Sequence, residues 1–361
     1  MNSTRLISLD FFRGLTIIAM ILVNTPGDWG NIYAPFMHAS WHGCTPTDLV
    51  FPFFLLIVGV SLSISLSKLT DKQAAYPKIF KRTILLFALG LALSFWGHPN
   101  FAEWRIMGVL QRIALVFCFS ALIFLHFSQQ KQLVLLLAIL LSYWALMSLV
   151  PVDGLAANLD KNTNLAAYLD QLILGNHVWR FSKPYDPEGI LSTLPAIGTG
   201  ILGMQLGFLL KTQGTAYQKF TQIMGFGFVL LVLGWLWDFV FPLNKQLWTS
   251  SFVVYTAGWA YLVFGVCFYL LDIQRFDNLF VKFSIIFGSN PTVAYVLSGF
   301  IITLMARTTI GEENLKDLLY SNLFTTWLNP KNASLLFAVS YIFICFLPVW
   351  ILYRKKIFVK I

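Results

Sequence analysis

The chain predicts an all-α fold, a polytopic integral membrane bundle of about ten transmembrane helices, and three observations carry that expectation. Hydrophobic residues make up 57% of the 361 and charged residues 11%, too little polarity to cover a soluble enzyme of this length. Apolar runs long enough to cross about 30 Å of hydrocarbon, roughly 20 helical residues each, recur along the whole chain. Lysines and arginines gather in alternate connections between those runs, the asymmetry that orients membrane helices.

The expected spans cover about residues 6–24, 48–67, 80–97, 108–126, 132–150, 189–210, 220–241, 250–271, 285–306 and 335–353. The first carries Asp10 and Arg13 near its start and lacks a small-x-small cleavage site, so it reads as an uncleaved anchor rather than a signal peptide. The ninth opens on Gly288-Ser289-Asn290-Pro291, a helix-breaking cluster tolerated at membrane depth only where protein or a polar cavity satisfies the freed backbone. One face collects Arg5 and Arg13, the run from Lys68 to Arg82, Lys131, Lys211, Lys219, Arg275, Lys282 and the basic C-terminus from Arg354 to Lys360. That face is expected to be cytoplasmic, with both termini inside. The net charge of +9 therefore reads as topology rather than nucleic-acid binding.

Extracytoplasmic loops are expected at about 25–47, 151–188 and 307–334, none large enough for a second core, so residues 1–361 form one membrane domain. No internal repeat is evident, which weakens an inverted-repeat transporter. Cys44, Cys118, Cys267 and Cys345 lack metal-ligand spacing and read as packing residues.

The chemistry concentrates in FMHASWHGCTPTDLVFP, residues 36–52. Polar side chains at the mouth of a span need a partner, a wet cavity or a substrate. His38 and His42 stand four apart, a metal spacing if helical, but no third ligand follows and no metal is expected. A histidine as general base is more economical, because imidazole titrates near neutrality, and His38 is the candidate. Asn24, at the end of the first span, either caps the helix or donates its amide to a developing oxyanion.

Arg13 either pairs with Asp10 or, with Lys81 and Arg82, meets an anionic cytoplasmic ligand such as a nucleotide phosphate. In the fourth span, Arg112 beside Gln111 requires a carboxylate or carbonyl, with Asp48 and Glu188 as candidates. Asp186 and Glu188, in the run Tyr185–Gly189, suit an amine-bearing sugar beside aromatic residues such as Trp41; ordinary helix capping is the alternative.

Five stretches, SLDFFRGLTIIAMILVN, MHASWHGCTPTDLVFPFF, WRIMGVLQR, YDPEGILST and GSNPTVAYVLSG, resemble in order their counterparts in the heparan-alpha-glucosaminide N-acetyltransferase family. The resemblance implies transfer of an acetyl group from cytosolic acetyl-CoA, as co-substrate, to a terminal glucosamine across the membrane. It implies His38 as the catalytic histidine and Asn24 as the active-site asparagine. Trp41, Asp48, Gln111, Arg112, Asp186 and Glu188 become candidates for binding the acceptor, and Arg13, Lys81, Arg82 and Asn290 for binding acetyl-CoA.

Two departures from the animal enzyme, a start at the SLDFFRGL span with no lumenal domain or leading span and a histidine at position 42, point to a bacterial inner-membrane form with an open acceptor. The expected partners are an amino sugar or oligosaccharide and membrane lipid, with no nucleic acid; a homodimer stays open. Direct transfer and an acetyl-histidine route are both compatible with the motifs. The rival readings are a transporter or channel without chemistry and an O-acetyltransferase of envelope glycans.

Overall fold

The computed structural model describes residues 6–359; Arg5 and Lys360 of the basic clusters lie outside the described residues. Helices dominate: α1 (Ile7–Asn24), α2 (Pro46–Leu66), α3 (Tyr76–Gly97), α4 (Val109–His126), α5 (Gln129–Leu149), α6 (Leu165–Ile173), α7 (Thr193–Lys211), α8 (Ala216–Asp238), α9 (Ser250–Phe268), α10 (Leu279–Ser289), α11 (Pro291–Arg307), α12 (Leu315–Tyr320) and α13 (Pro330–Arg354). A two-stranded hairpin, β1 (Thr309–Ile310) and β2 (Glu313–Asn314), precedes α12.

Among the described residues nine helices are long and apolar enough to cross a membrane, and α10 with α11 forms a further pair bent by 86°. The chain is an integral membrane protein. The span expected over 285–306 is broken by that bend. The helix starts earlier, where Asn278 caps α10 by accepting from Val281 N, and breaks at Asn290. Pro291 then opens α11, a position where the missing N–H costs nothing.

The chain divides into two compact units. The second holds residues 39–44 and 52–265 and is built around α7, which is buried along most of its length. Small residues let α7 approach its neighbours closely: a Cβ on Gly59 would lie 2.1 Å from Gly200 O, and one on Gly203 2.1 Å from Leu56 O. Such contacts replace the missing hydrophobic drive between helices in lipid. Lysines of the basic clusters cap helix ends here, Lys72 Nζ donating to Leu125 O at 3.0 Å and Lys211 Nζ to Ser63 O at 3.0 Å.

The first unit holds residues 6–38, 45–51 and 266–359. Gly14 and Gly288 bring α1 and α10 into backbone contact, a Cβ on either meeting the other helix's carbonyl at 1.7 and 2.0 Å. The Asp272 carboxylate accepts from Ile7 N and Ser8 N, both at 3.1 Å, and so satisfies the first N–H groups of α1. Arg13 bonds Asp10 at 3.2 Å and Gly288 O at 3.3 Å, so the local ion pair exists.

Candidate functional site

In the first unit, the start of α2 is set by Thr45-Pro46-Thr47-Asp48. Thr45 stands before the helix and Pro46 opens it, and Asp48 reaches back so that its Oδ2 accepts from Thr45 N at 3.0 Å and from Thr45 Oγ1 at 3.0 Å. A carboxylate in the first turn that returns to the cap residue's N–H satisfies a donor the helix leaves open. Thr45 Oγ1 also lies 2.7 Å from Met37 O and Thr47 Oγ1 donates to Pro35 O at 3.1 Å, which fixes the path of the loop before the helix.

That path delivers His38 to Asp48: Nδ1 and Oδ1 stand 2.6 Å apart. The Asp48 side chain is 1% exposed and that of His38 38% exposed. A carboxylate only accepts, so Nδ1 carries the proton and the basic lone pair belongs to Nε2. Asp48, expected among the acceptor-binding groups, is instead buried and committed to His38 and Thr45. Asn24 is the last residue of α1 and is exposed. Residues 37–45 form an irregular loop, so the four-residue spacing of the two histidines is not the helical spacing a metal pair needs.

In the second unit, residues 39–44 are anchored by Gly43 N donating to Leu243 O at 2.7 Å and Trp41 Nε1 donating to Leu159 O at 2.8 Å. Trp41 meets the Tyr185 ring edge to face at 5.4 Å. His42 Nδ1 lies 3.4 Å from Asn244 Nδ2, and burial holds its pKa below the ordinary histidine value against the opposing pull of Asp238 and Asp160.

The acids of the Tyr185–Gly189 run are spent elsewhere than expected. Arg105 donates Nε to Asp186 Oδ2 at 2.8 Å, and Nη2 to Asp186 Oδ1 and Glu188 Oε2, both at 2.5 Å. Burial would lower the Arg105 pKa, but the two carboxylates outweigh it and raise it. Burial would likewise raise Glu188, and Arg105, Arg112 and Lys245 hold it low. Asp170, on α6, accepts from Asp186 N at 3.0 Å and Ile190 N at 2.9 Å. Burial raises its carboxyl to about 6 despite those bonds.

Arg112 is fully buried and takes carbonyls rather than either proposed carboxylate: it donates to Pro187 O at 3.1 Å, Gly189 O at 3.2 Å and Ser192 Oγ. Gln111 is buried against Gly90, where a Cβ would meet its Oε1 at 2.4 Å. Arg112, Gln111, Asp186 and Glu188 thus hold the protein's own backbone and ion pairs.

Of the acetyl-CoA candidates, Asn290 is buried with both amide ends committed, Nδ2 to Ile357 O at 3.1 Å and Oδ1 to Val359 N at 2.8 Å. It pins the C-terminal segment. Lys81 and Arg82 are exposed at the start of α3, with the Arg82 guanidinium 4.4 Å over the Phe117 ring. Two residues escaped the sequence reading as partners, Arg105 and Asp170. The signal for Arg105 was an arginine just before a span in the same chain as two closely spaced acids; for Asp170 there was none.

Residues 5–236 match the family model for the heparan-alpha-glucosaminide N-acetyltransferase catalytic region. The heparan-alpha-glucosaminide N-acetyltransferase of Mus musculus is 27% identical over 335 residues, covering 76% of this chain and 50% of the relative. That of Homo sapiens is 29% identical over 332 residues, covering 75% and 49%. The chain therefore spans about half the length of the curated relatives it matches. The matched residues include α1, the His38 loop, Arg105 and the Tyr185–Gly189 run, and the chain belongs to the heparan-alpha-glucosaminide N-acetyltransferase catalytic family.

Proposed function

We propose that the protein transfers an acetyl group from acetyl-CoA on the cytoplasmic side to the amine of a glucosamine on the extracytoplasmic side, with His38 as general base. The observation that carries this reading is the 2.6 Å contact between His38 Nδ1 and the buried Asp48 carboxylate. A carboxylate behind an imidazole fixes its tautomer and stabilises the imidazolium that forms when the other nitrogen takes a proton. Family membership supports the acetyl chemistry.

In this reading the sugar amine attacks the thioester carbonyl carbon while Nε2 of His38 receives the amine proton. The new C–N bond replaces the C–S bond, and the CoA thiolate leaves and is protonated to the free thiol. Asn24, exposed at the end of α1, donates its amide to the oxygen on which charge develops. Lys81 and Arg82 are the basic groups whose exposure suits the CoA phosphates; Arg13, already tied to Asp10 and Gly288 O, adds positive charge at the start of α1. One membrane domain with both termini cytoplasmic completes the proposal.

The test is to incubate the purified protein with acetyl-CoA and glucosamine and follow free CoA thiol and product mass. Thiol release that requires the sugar, with an N-linked acetyl in the product, supports the reading. Absence of release excludes it in favour of a transporter, and an O-linked product moves it to hydroxyl acetylation.

A further inference from the structure

A concavity lies in the first unit, in the loop after α1, and no step of the proposed transfer uses it. It is an open cleft of about 300 Å³ lined by Gly27, Asp28, Trp29, Glu313, Lys316, Asp317, Tyr320 and Ser321. Its walls are tightly held. Gly27 N donates to Ser334 O at 3.2 Å and Asp28 N to Ser334 Oγ at 3.1 Å, so the loop is stapled to α13. On the other side the β1–β2 hairpin orients Glu313, and Asn314 caps α12 by accepting from Asp317 N at 2.9 Å. Gly27 leaves room for the Tyr320 ring, since a Cβ there would lie 2.5 Å from it.

The lining has three carboxylates against one amine. Asp28 is held below the ordinary carboxylate range by its bonds from Asn31 and Gly30. The Lys316 amine donates to Gly27 O at 2.8 Å and lies 3.9 Å from Asp317 Oδ1, so it offsets one carboxylate and leaves the cleft acidic; its side chain is 16% exposed while that of Asp317 is 58% exposed. Glu313 is exposed. Trp29, 60% exposed, offers a flat apolar face beside these charges. A cation with a ring face is the chemistry this combination selects: carboxylates attract the ammonium, and the indole takes either a pyranose face or the ammonium itself.

We infer that this cleft is a docking subsite for a glycan bearing protonated amines, holding a part of the acceptor away from the reacting amine. Only the identity of the ring rests on the acetyl-transfer reading; the preference for a cation rests on the cleft's own charge.

The experiment is calorimetric titration of the purified full-length protein, with no acyl donor present, using a β-1,4-linked glucosamine tetramer and its fully N-acetylated counterpart as probes. The free-amine tetramer should bind, and the acetylated one at least about tenfold more weakly. Glu313→Gln should weaken the free-amine tetramer about threefold to fivefold and Trp29→Ala about tenfold. The Glu313 carboxylate is exposed, so its isosteric replacement leaves the fold intact. Equal binding of both tetramers, no binding of either by the wild type, or unchanged binding by both variants would overturn the subsite. Acetyl transfer by the wild type is read in a separate assay, so its failure and the failure of the cleft register independently.

Discussion

The His38 loop and the Arg105 cluster both set a nitrogen base against carboxylates, and they end in opposite conditions. At Arg105 the charged groups are tied to one another and to the backbone: one guanidinium bridges Asp186 and Glu188, Asp170 takes two backbone N–H groups, and Arg112 takes two carbonyls and a hydroxyl. At His38 only the carboxylate is buried, and the imidazole that it orients remains 38% exposed. Dense buried polar networks specify architecture, whereas catalysis needs a group held on one side and accessible on the other. Motif chemistry alone does not separate these two cases; the exposure of the base does, 38% for the His38 side chain against 17% for Arg105.

Substitutions can break that comparison. The largest effect is expected at His38→Ala, which should lose about 10³-fold or more in kcat with acetyl-CoA affinity retained, since a base acts in the transition state rather than in ground-state binding. Arg105→Leu should act on folding instead, removing about 3–5 kcal/mol by stranding two buried carboxylates. Yield and thermal stability in detergent read that loss, and the folded remainder should turn over normally. Asp48→Asn should lower kcat about 10²-fold with little change in stability, because the amide keeps the shape of the side chain and no longer fixes the tautomer.

The Asp170 carboxyl, raised to about 6 by burial from an ordinary value of 3.8, gives the cluster a pH signature. A folded pKa above the unfolded one means stability present at low pH and lost as pH rises through about 4 to 6, by up to about 3 kcal/mol. Glu188, held low, acts in the opposite sense below about 4.5. Melting temperatures between about pH 4.5 and 6 should therefore fall with pH, and Asp170→Asn should flatten the slope. The smallest effect is expected at His42→Ala, with kcat within about threefold of wild type, as the residue has a place in the wall and no chemical role. A folded but inactive His42 variant would erase the distinction between the two histidines.

How far the sequence anticipated this follows from the range of each interaction. Hydrophobic run length is a local signal, and the helices stand where it put them, apart from the bend at Asn290, whose breaking residues were visible and whose 86° angle was not. The His38–Asp48 pair spans ten residues of irregular loop. Its one local trace is Thr45-Pro46-Thr47-Asp48, a helix-start pattern that fixes the carboxylate and leaves the histidine's position to the loop. The Arg105 network links residues about 80 apart in the chain. Nothing local tells an acid that will be saturated from one that will meet a ligand, so Asp186 and Glu188 read as binding groups. The partners of Asn290, Ile357 and Val359, were out of reach of a local reading for the same reason, lying at the far end of the chain.

The central claim is that an imidazole oriented by Asp48 removes the proton from the acceptor amine. Its most direct test is the pH dependence of kcat/KM for acetyl-CoA-dependent glucosamine acetylation, measured on wild type, His38→Ala and Asp48→Asn with acetyl-CoA affinity determined alongside. The wild type should show an ascending limb that depends on His38. Asp48→Asn should keep that limb at reduced amplitude, and His38→Ala should abolish both limb and turnover, with affinity for acetyl-CoA unchanged in both. A His38→Ala protein that turns over near the wild-type rate with the limb intact would contradict the account.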